Sequence, residues 1–150
     1  MTPAVRAGVV AAATIAADQA VKAVVRSTID RTEEIDLILG IKLVNVRNSG
    51  IAFGMLSGGG ALLVIFAVAA LTALIVFFMR HRDRRLVWLP TGLLIGGAAG
   101  NLIDRTREGA VTDFLDLPLW PAFNVADVAI TFGVLTLLYV LEGPPRHGGR

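Results

Sequence analysis

The sequence predicts an all-α membrane protein: four transmembrane helices with a small extracytoplasmic β-element between helices one and two, making one domain over residues 1–150. Three observations carry that prediction. Hydrophobic residues make up 55% of the chain and charged residues 17%, far from the balance of an ordinary globular domain. Four apolar runs, at about 5–25, 60–79, 86–103 and 125–141, are each long enough to cross roughly 30 Å of hydrocarbon as helix. Finally, the short stretch Arg80-His81-Arg82-Asp83-Arg84-Arg85 marks the link between the second and third runs as cytoplasmic, because basic residues are retained on that side. Both termini are then cytoplasmic, in agreement with Arg6, Arg146 and Arg150, and the segments 26–59 and 104–124 face outward.

The first run carries Asp18 and Lys22 and lacks a small-residue cleavage site, so it is expected to stay in the mature protein rather than serve as a secretory signal. After Arg26 the chain becomes about half polar. Its segment "IDLILGIKLVNV" alternates imperfectly, which predicts short strands on the outer membrane surface, within a β-element spanning about 27–57. The second run is uncharged and apolar on every side, as suits a scaffold facing lipid. The third places Gly92, Gly96 and Gly100 at four-residue spacing, which lets another helix backbone come close. Pro118 and Pro121 predict a short, stiff, non-helical link before the fourth run. The last residues, about 143–150, read as a flexible tail.

Composition excludes several chemistries. Without cysteine there is no disulfide, thiolate nucleophile or cysteine-bound metal. His81 and His147 both lie in basic cytoplasmic stretches, so neither a Ser-His-Asp triad nor a histidine zinc site is expected on the outer face, and no metal or cofactor is predicted. The pI near 9.7 is accounted for by cytoplasmic anchoring, and nothing in the chain suggests nucleic-acid binding.

What remains is a set of carboxylates and amides that the orientation gathers near the outer third of the bilayer: Asp18, Gln19, Lys22, Asn101, Asp104, Arg105, Asp113, Asn124 and Asp127. Charge is costly there, so such residues invite a functional reading. Each also has a plainer one. Asp18 and Lys22 have the i,i+4 spacing of a helical ion pair. Asn124 and Asp127 have the form of an N-cap and its N3 partner. Asn101 could cap carbonyls at a helix end, and Asp104 could pair with Arg105. Asp113 could be an ordinary interfacial loop residue, a role better suited to Asp116. The case for catalysis is that two carboxylates in contact share one proton near neutral pH, so one can activate water while the other protonates a carbonyl. Asp113 and Asp127 are placed to meet in this way, although spacing shows only that contact is possible.

Five blocks, "DQAVK" (18–22), "NSGIAFG" (48–54), "GGAAGNLIDR" (96–105), "VTDF" (111–114) and "PAFNVADVAI" (121–130), together resemble the bacterial lipoprotein signal peptidases, signal peptidase II. The resemblance implies an aspartyl endopeptidase of the inner membrane that removes signal peptides from diacylglyceryl-modified prolipoproteins, cutting before the lipidated cysteine. It implies Asp113 and Asp127 as the catalytic dyad. It also implies site-lining roles for Asn48, Asn101, Arg105 and Asn124, with Asp18 and Lys22 as the helix-one motif and Asp104 as the rival to Asp113. Gly50 and Phe53 belong to an outer loop expected to cover the site. The partners expected are lipidated prolipoproteins and membrane lipid, with the protein a monomer. Thr112 and Ser49 depart from the residues usual in the family, and the link between the two aspartates is short. Two other readings compete: a small proton-coupled transporter, and a scaffold in which every polar residue is a cap or ion pair. The transporter is disfavoured by the one-sided clustering of carboxylates and the lack of an internal repeat. Proteolysis that depends on Asp113 separates both from an enzyme.

Overall fold

The computed structural model describes residues 1–50, 59–84 and 86–142; the expectations for Phe53, the end of the 27–57 segment, Arg146, His147, Arg150 and the 143–150 tail lie outside them. The elements run α1 (Pro3–Thr28), β1 (Glu34–Asp36), β2 (Lys42–Asn48), α2 (Gly59–His81), α3 (Trp88–Glu108), β3 (Val111–Leu117), β4 (Trp120–Phe123) and α4 (Val125–Glu142). Thr2 caps α1 by accepting from the Val5 amide, and Pro3 occupies the first turn, where its missing N–H costs nothing. The buried residues of α1 are Ala7, Ala11, Thr14, Asp18, Lys22 and Val25, spaced three and four apart and so on one face.

That face packs on the glycines of α3. A Cβ added to Gly92 would lie 2.7 Å from the Ala7 carbonyl, and one added to Gly96 would lie 2.6 Å from Thr14 Cβ. On another side of α3, a Cβ on Gly97 would come 2.5 Å from the Ala126 carbonyl of α4. Helix α3 is thus held between α1 and α4 at backbone contact, as its small residues predict. Among the described residues, α1, α2 and α4 are long and apolar enough to cross a membrane. Helix α3 falls outside that set; its last turns carry Asn101, Asp104, Arg105, Arg107 and Glu108.

The β-structure is larger than expected and is built differently. It is one antiparallel sheet in the order β1-β2-β3-β4, and half of it comes from the segment between α3 and α4. Strand β2 pairs with β3 over Lys42↔Asp116 to Asn48↔Val111, so Asp113 sits on a strand rather than in a loop. Pro121 does not prevent a strand because β4 is at the edge, where a missing ladder donor is tolerated. Helix α3 also extends further than the apolar run, to Glu108, and ends at Gly109, whose φ of 73° suits a left-handed cap. Asn101 and Asp104 therefore lie within the helix, and Arg105 falls in its last turn.

The sheet is fixed to the end of the bundle formed by the C-terminal ends of α1 and α3 and the start of α4. Val25, Ile29 and Phe114 form a buried cluster with Leu43, Leu115 and Val125 around it. Asn45 Nδ2 donates to the Ile29 carbonyl at 2.8 Å, which ties β2 to the residue capping α1. These contacts place β3 directly above the polar ends of α1, α3 and α4.

Candidate active site

The site begins with a charge cluster buried between α1 and α3. Lys22 Nζ lies 2.8 Å from Asp18 and 3.0 Å from Asp104, and both Asp18 and Lys22 have no exposed side-chain surface. The i,i+4 pair expected from the sequence forms. Asp104 does not pair with Arg105 as expected; it faces α1, accepting from Gln19 Nε2 at 2.9 Å and from the Thr112 backbone amide at 3.1 Å. The reason is helical geometry: successive residues point about 100° apart, so neighbours on a helix seldom meet. Gln19 also donates to Asp18 and to the Gly100 carbonyl. It was named among the polar residues without a role, and its position beside Asp18 on a buried face was the available signal. Arg26, which donates to Thr112 Oγ1 at 3.2 Å and lies 3.5 Å from Glu108, was not foreseen.

Two groups carry this cluster to the start of α4. Asp18 Oδ1 accepts the Ala126 amide at 2.9 Å, so an α1 carboxylate satisfies one of the free N–H groups at the positive end of α4. Lys22 Nζ also donates to Asn101 Oδ1 at 2.9 Å, which leaves the Asn101 amide to donate to Asp127 Oδ1 at 2.9 Å. Asn101 thus bridges a buried ammonium to a carboxylate, and the carbonyl-capping role suggested by its supposed place at a helix end does not arise.

Asn124 and Asp127 form the reciprocal capping pair anticipated from their spacing. Asn124 Oδ1 accepts the Asp127 amide at 3.0 Å and Asp127 Oδ2 accepts the Asn124 amide at 3.3 Å. The Asn124 side-chain amide is free to act elsewhere. It donates to Asp113 Oδ1 at 2.6 Å and to Asn101 Oδ1 at 3.2 Å. Asn48, at the end of β2, donates to the other Asp113 oxygen at 2.9 Å. Its own Oδ1 accepts the Gly50 amide at 2.9 Å, closing a small turn in which Gly50 has a φ of 75°.

Asp113 is 2% exposed, and burial raises its pKa from the ordinary carboxylate value. The Asn48 hydrogen bond opposes that shift, the charge of Asp127 adds to it, and Asn124 and Lys22 oppose it. Asp113 and Asp127 therefore feel each other, each held by asparagine donors, with Asn124 bonded to both. The dyad opens on two sides. Asp113 lines a cavity of about 240 Å³ with Asn48, Ser49 and Pro121. Asp127 lines a groove of about 480 Å³ with Trp120, Phe123, Val128 and Phe132. Arg105 lines neither of these two spaces. It borders a third cavity with Ser49, Leu63 and Gly109, and its Nε is buried without a partner among the described residues. Among the described residues, no group of three or more His, Asp or Glu side chains is arranged to hold a metal ion.

Fold and site together define a helical membrane protein with two amide-held carboxylates, Asp113 and Asp127, under a small sheet. Residues 10–142 match the family model for signal peptidase (SPase) II, and the chain belongs to that family of membrane proteases. It is 40% identical over 132 residues to a lipoprotein signal peptidase of Halothermothrix orenii, covering 87% of this chain and 91% of the relative. A lipoprotein signal peptidase of Moorella thermoacetica is 41% identical over 138 residues, covering 91% and 92%. A solved structure described as a bacterial membrane enzyme superposes with a TM-score of 0.85 at 30% identity, over 93% of this chain and 94% of that one.

Proposed function

We propose that the chain is an aspartyl endopeptidase that removes signal peptides from diacylglyceryl-modified prolipoproteins, cutting before the lipidated cysteine, with Asp113 and Asp127 as its general acid/base pair. The observation that carries this reading is Asn124, which bonds to Asp113 through its side chain and to Asp127 through its backbone and so holds both carboxylates to one residue. Family membership supports the substrate class, since the relatives are named lipoprotein signal peptidases.

In the proposed reaction the dyad carries one proton, resting on Asp113, whose burial favours the neutral form. Asp127 takes a proton from water as the oxygen bonds to the scissile carbonyl carbon, and Asp113 gives its proton to the carbonyl oxygen. The tetrahedral diol then collapses: the C–N bond breaks, the proton held by Asp127 passes to the leaving nitrogen, and Asp113 recovers a proton from a diol hydroxyl. The products are the signal peptide's carboxylic acid and a free amine on the lipidated cysteine. Asp18, Lys22, Asn101, Asp104 and Asn124 act as positioning residues, with Asn48 holding Asp113 from the sheet; Gly50 shapes the turn that follows. Arg105 supports the site from its border with the β2 end, where it shares a cavity with Ser49.

In this reading α3 is the fourth span, shielded from lipid by α1 and α4, which offsets its polar last turns. Both termini are cytoplasmic, the dyad lies near the outer face, and the protein works as a monomer. The groove beside Asp127 is apolar and adjoins α4, which suits a substrate that enters sideways from the bilayer. The test is incubation of purified protein with a diacylglyceryl-modified prolipoprotein peptide and with the same peptide lacking lipid. Mass spectrometry should show cleavage of the lipidated peptide on the N-terminal side of its cysteine; equal cleavage of both peptides would remove lipid recognition from the proposal.

A further inference from the structure

The end of the sheet farthest from α3 carries side chains that the folded chain does not use. Leu37, Ile38 and Leu39 follow β1, Leu119 and Trp120 lie at the β3–β4 turn, and all are exposed, Leu39 by 87% and Leu119 by 104%. The two turns abut, since a Cβ on Gly40 would lie 3.1 Å from Pro118 Cγ. Their backbone makes the choice of residue informative. The Ile41 amide donates to the Ile38 carbonyl, and both residues between them, Leu39 at φ 55° and Gly40 at φ 77°, are left-handed, as in a type I′ turn whose first central position favours Asn or Asp. In the second turn Pro118 precedes Leu119 at φ 65°, the position that favours Gly or Asn. Three non-glycine residues among those described have a positive φ, and two of them are these leucines. Each turn accepts backbone strain in order to point an apolar side chain outward.

The surroundings indicate what those side chains meet. Leu117 and Trp120 line the same groove as Val128, Thr131 and Phe132, residues in the first turns of α4, a helix apolar enough to span a membrane. The turns are therefore continuous with a lipid-facing surface. Behind them, Asp36, Lys42 and Asp116 align across three strands and form a charged row, as a boundary between lipid tails and headgroups would favour. Tryptophan at such a border is the usual interfacial anchor.

We propose that the β1–β2 and β3–β4 turns insert Leu39, Leu119 and Trp120 into the outer lipid surface, anchoring the sheet over the dyad at a fixed height. The anchoring is independent of which peptide the site cleaves. The test uses the full chain with Trp88→Phe, which leaves Trp120 as the single tryptophan, in phosphatidylcholine–phosphatidylglycerol vesicles. Lipids brominated near the top of the acyl chain should quench roughly half of the Trp120 emission, with less quenching by lipids brominated at the chain end and little by aqueous iodide. Adding Leu39→Asn and Leu119→Asn should cut the bromolipid quenching and shift the emission to the red, while the unfolding midpoint in detergent holds or rises because Asn tolerates a left-handed backbone. Quenching by iodide but not by bromolipid overturns the proposal, as does bromolipid quenching that the asparagine substitutions leave unchanged. Protection from iodide that grows with the protein-to-lipid ratio overturns it in favour of contact with a second copy.

Discussion

Asn124 donates from its side chain to Asp113 and from its backbone to Asp127, while its own side-chain oxygen caps the first turn of α4. One residue therefore couples where α4 begins to where both carboxylates point. On the other side of Asp113 the donor is Asn48, and together the two amides hold both oxygens of a carboxyl group that burial pushes toward its neutral form. This has a consequence for stability. A carboxyl whose folded pKa is raised binds its proton more tightly in the folded state, so its stabilising contribution is full at acid pH and is lost as pH rises through the raised value. Asp113→Asn should accordingly show a flatter fall in unfolding midpoint over that range than the wild type, while losing cleavage. Thermal unfolding in detergent across the acid-to-neutral range measures it. Lys22 acts through its buried contacts. It serves Asp18, Asp104 and Asn101, so Lys22→Met leaves two buried carboxylates without their ammonium and should cost about 3–5 kcal/mol. An unfolding midpoint within error of the wild type would refute that role.

Among the elements, α3 was legible as a close-packing helix because Gly92, Gly96 and Gly100 repeat at the spacing of one face. Its end was misjudged because the apolar run stops at Ile103 whereas the helix continues five residues to Glu108, satisfying its polar side chains against α1 and the sheet. The carbonyl-capping role read for Asn101 rested on that end, whereas its amide donates to Asp127. Strands β3 and β4 were missed for a different reason. Pro118 does mark a break, the turn between them, and Pro121 sits on the edge strand β4; what no local pattern reveals is the pairing of β3 with β2, a partner almost seventy residues earlier. That Asp113 and Asp127 come to one place was legible because their motifs are short and continuous; the relay from Lys22 through Asn101 to Asp127 spans three helices and exists only in the fold. The tight contact of Gly97 with the Ala126 carbonyl sets the position of the first turn of α4 and so of Asp127. Gly97→Ala should cost about 1–3 kcal/mol through overpacking and lower kcat more than it raises KM, measured on a lipidated peptide with circular dichroism as a check on helix content.

For the molecule as a whole, the proposed function makes the polar layer at one end of the bundle both its outer end and the place where a peptide bond meets water. Helix α2 contributes apolar wall, with Leu63 beside Ser49 and Arg105, while α1, α3 and α4 each supply polar groups to that layer. The orientation that places this layer outside rests on the arginines between α2 and α3. Since the chain has no cysteine, single substitutions can report it cleanly. Thr32→Cys, before β1, should react with a membrane-impermeant maleimide in intact spheroplasts, and Asp83→Cys only after permeabilisation. The reverse pattern would invert the topology and remove the proposed outer-face site.

The central claim is that Asp113 and Asp127 act as one proton-sharing pair. It is tested most directly by cleavage of a diacylglyceryl prolipoprotein peptide with purified wild type, Asp113→Asn and Asp127→Asn, each shown to be folded by its unfolding midpoint. The account predicts product from the wild type and none from either variant, a fall of at least about a thousandfold for removing one member of a general acid/base pair. Turnover near the wild-type rate by either folded variant would contradict it.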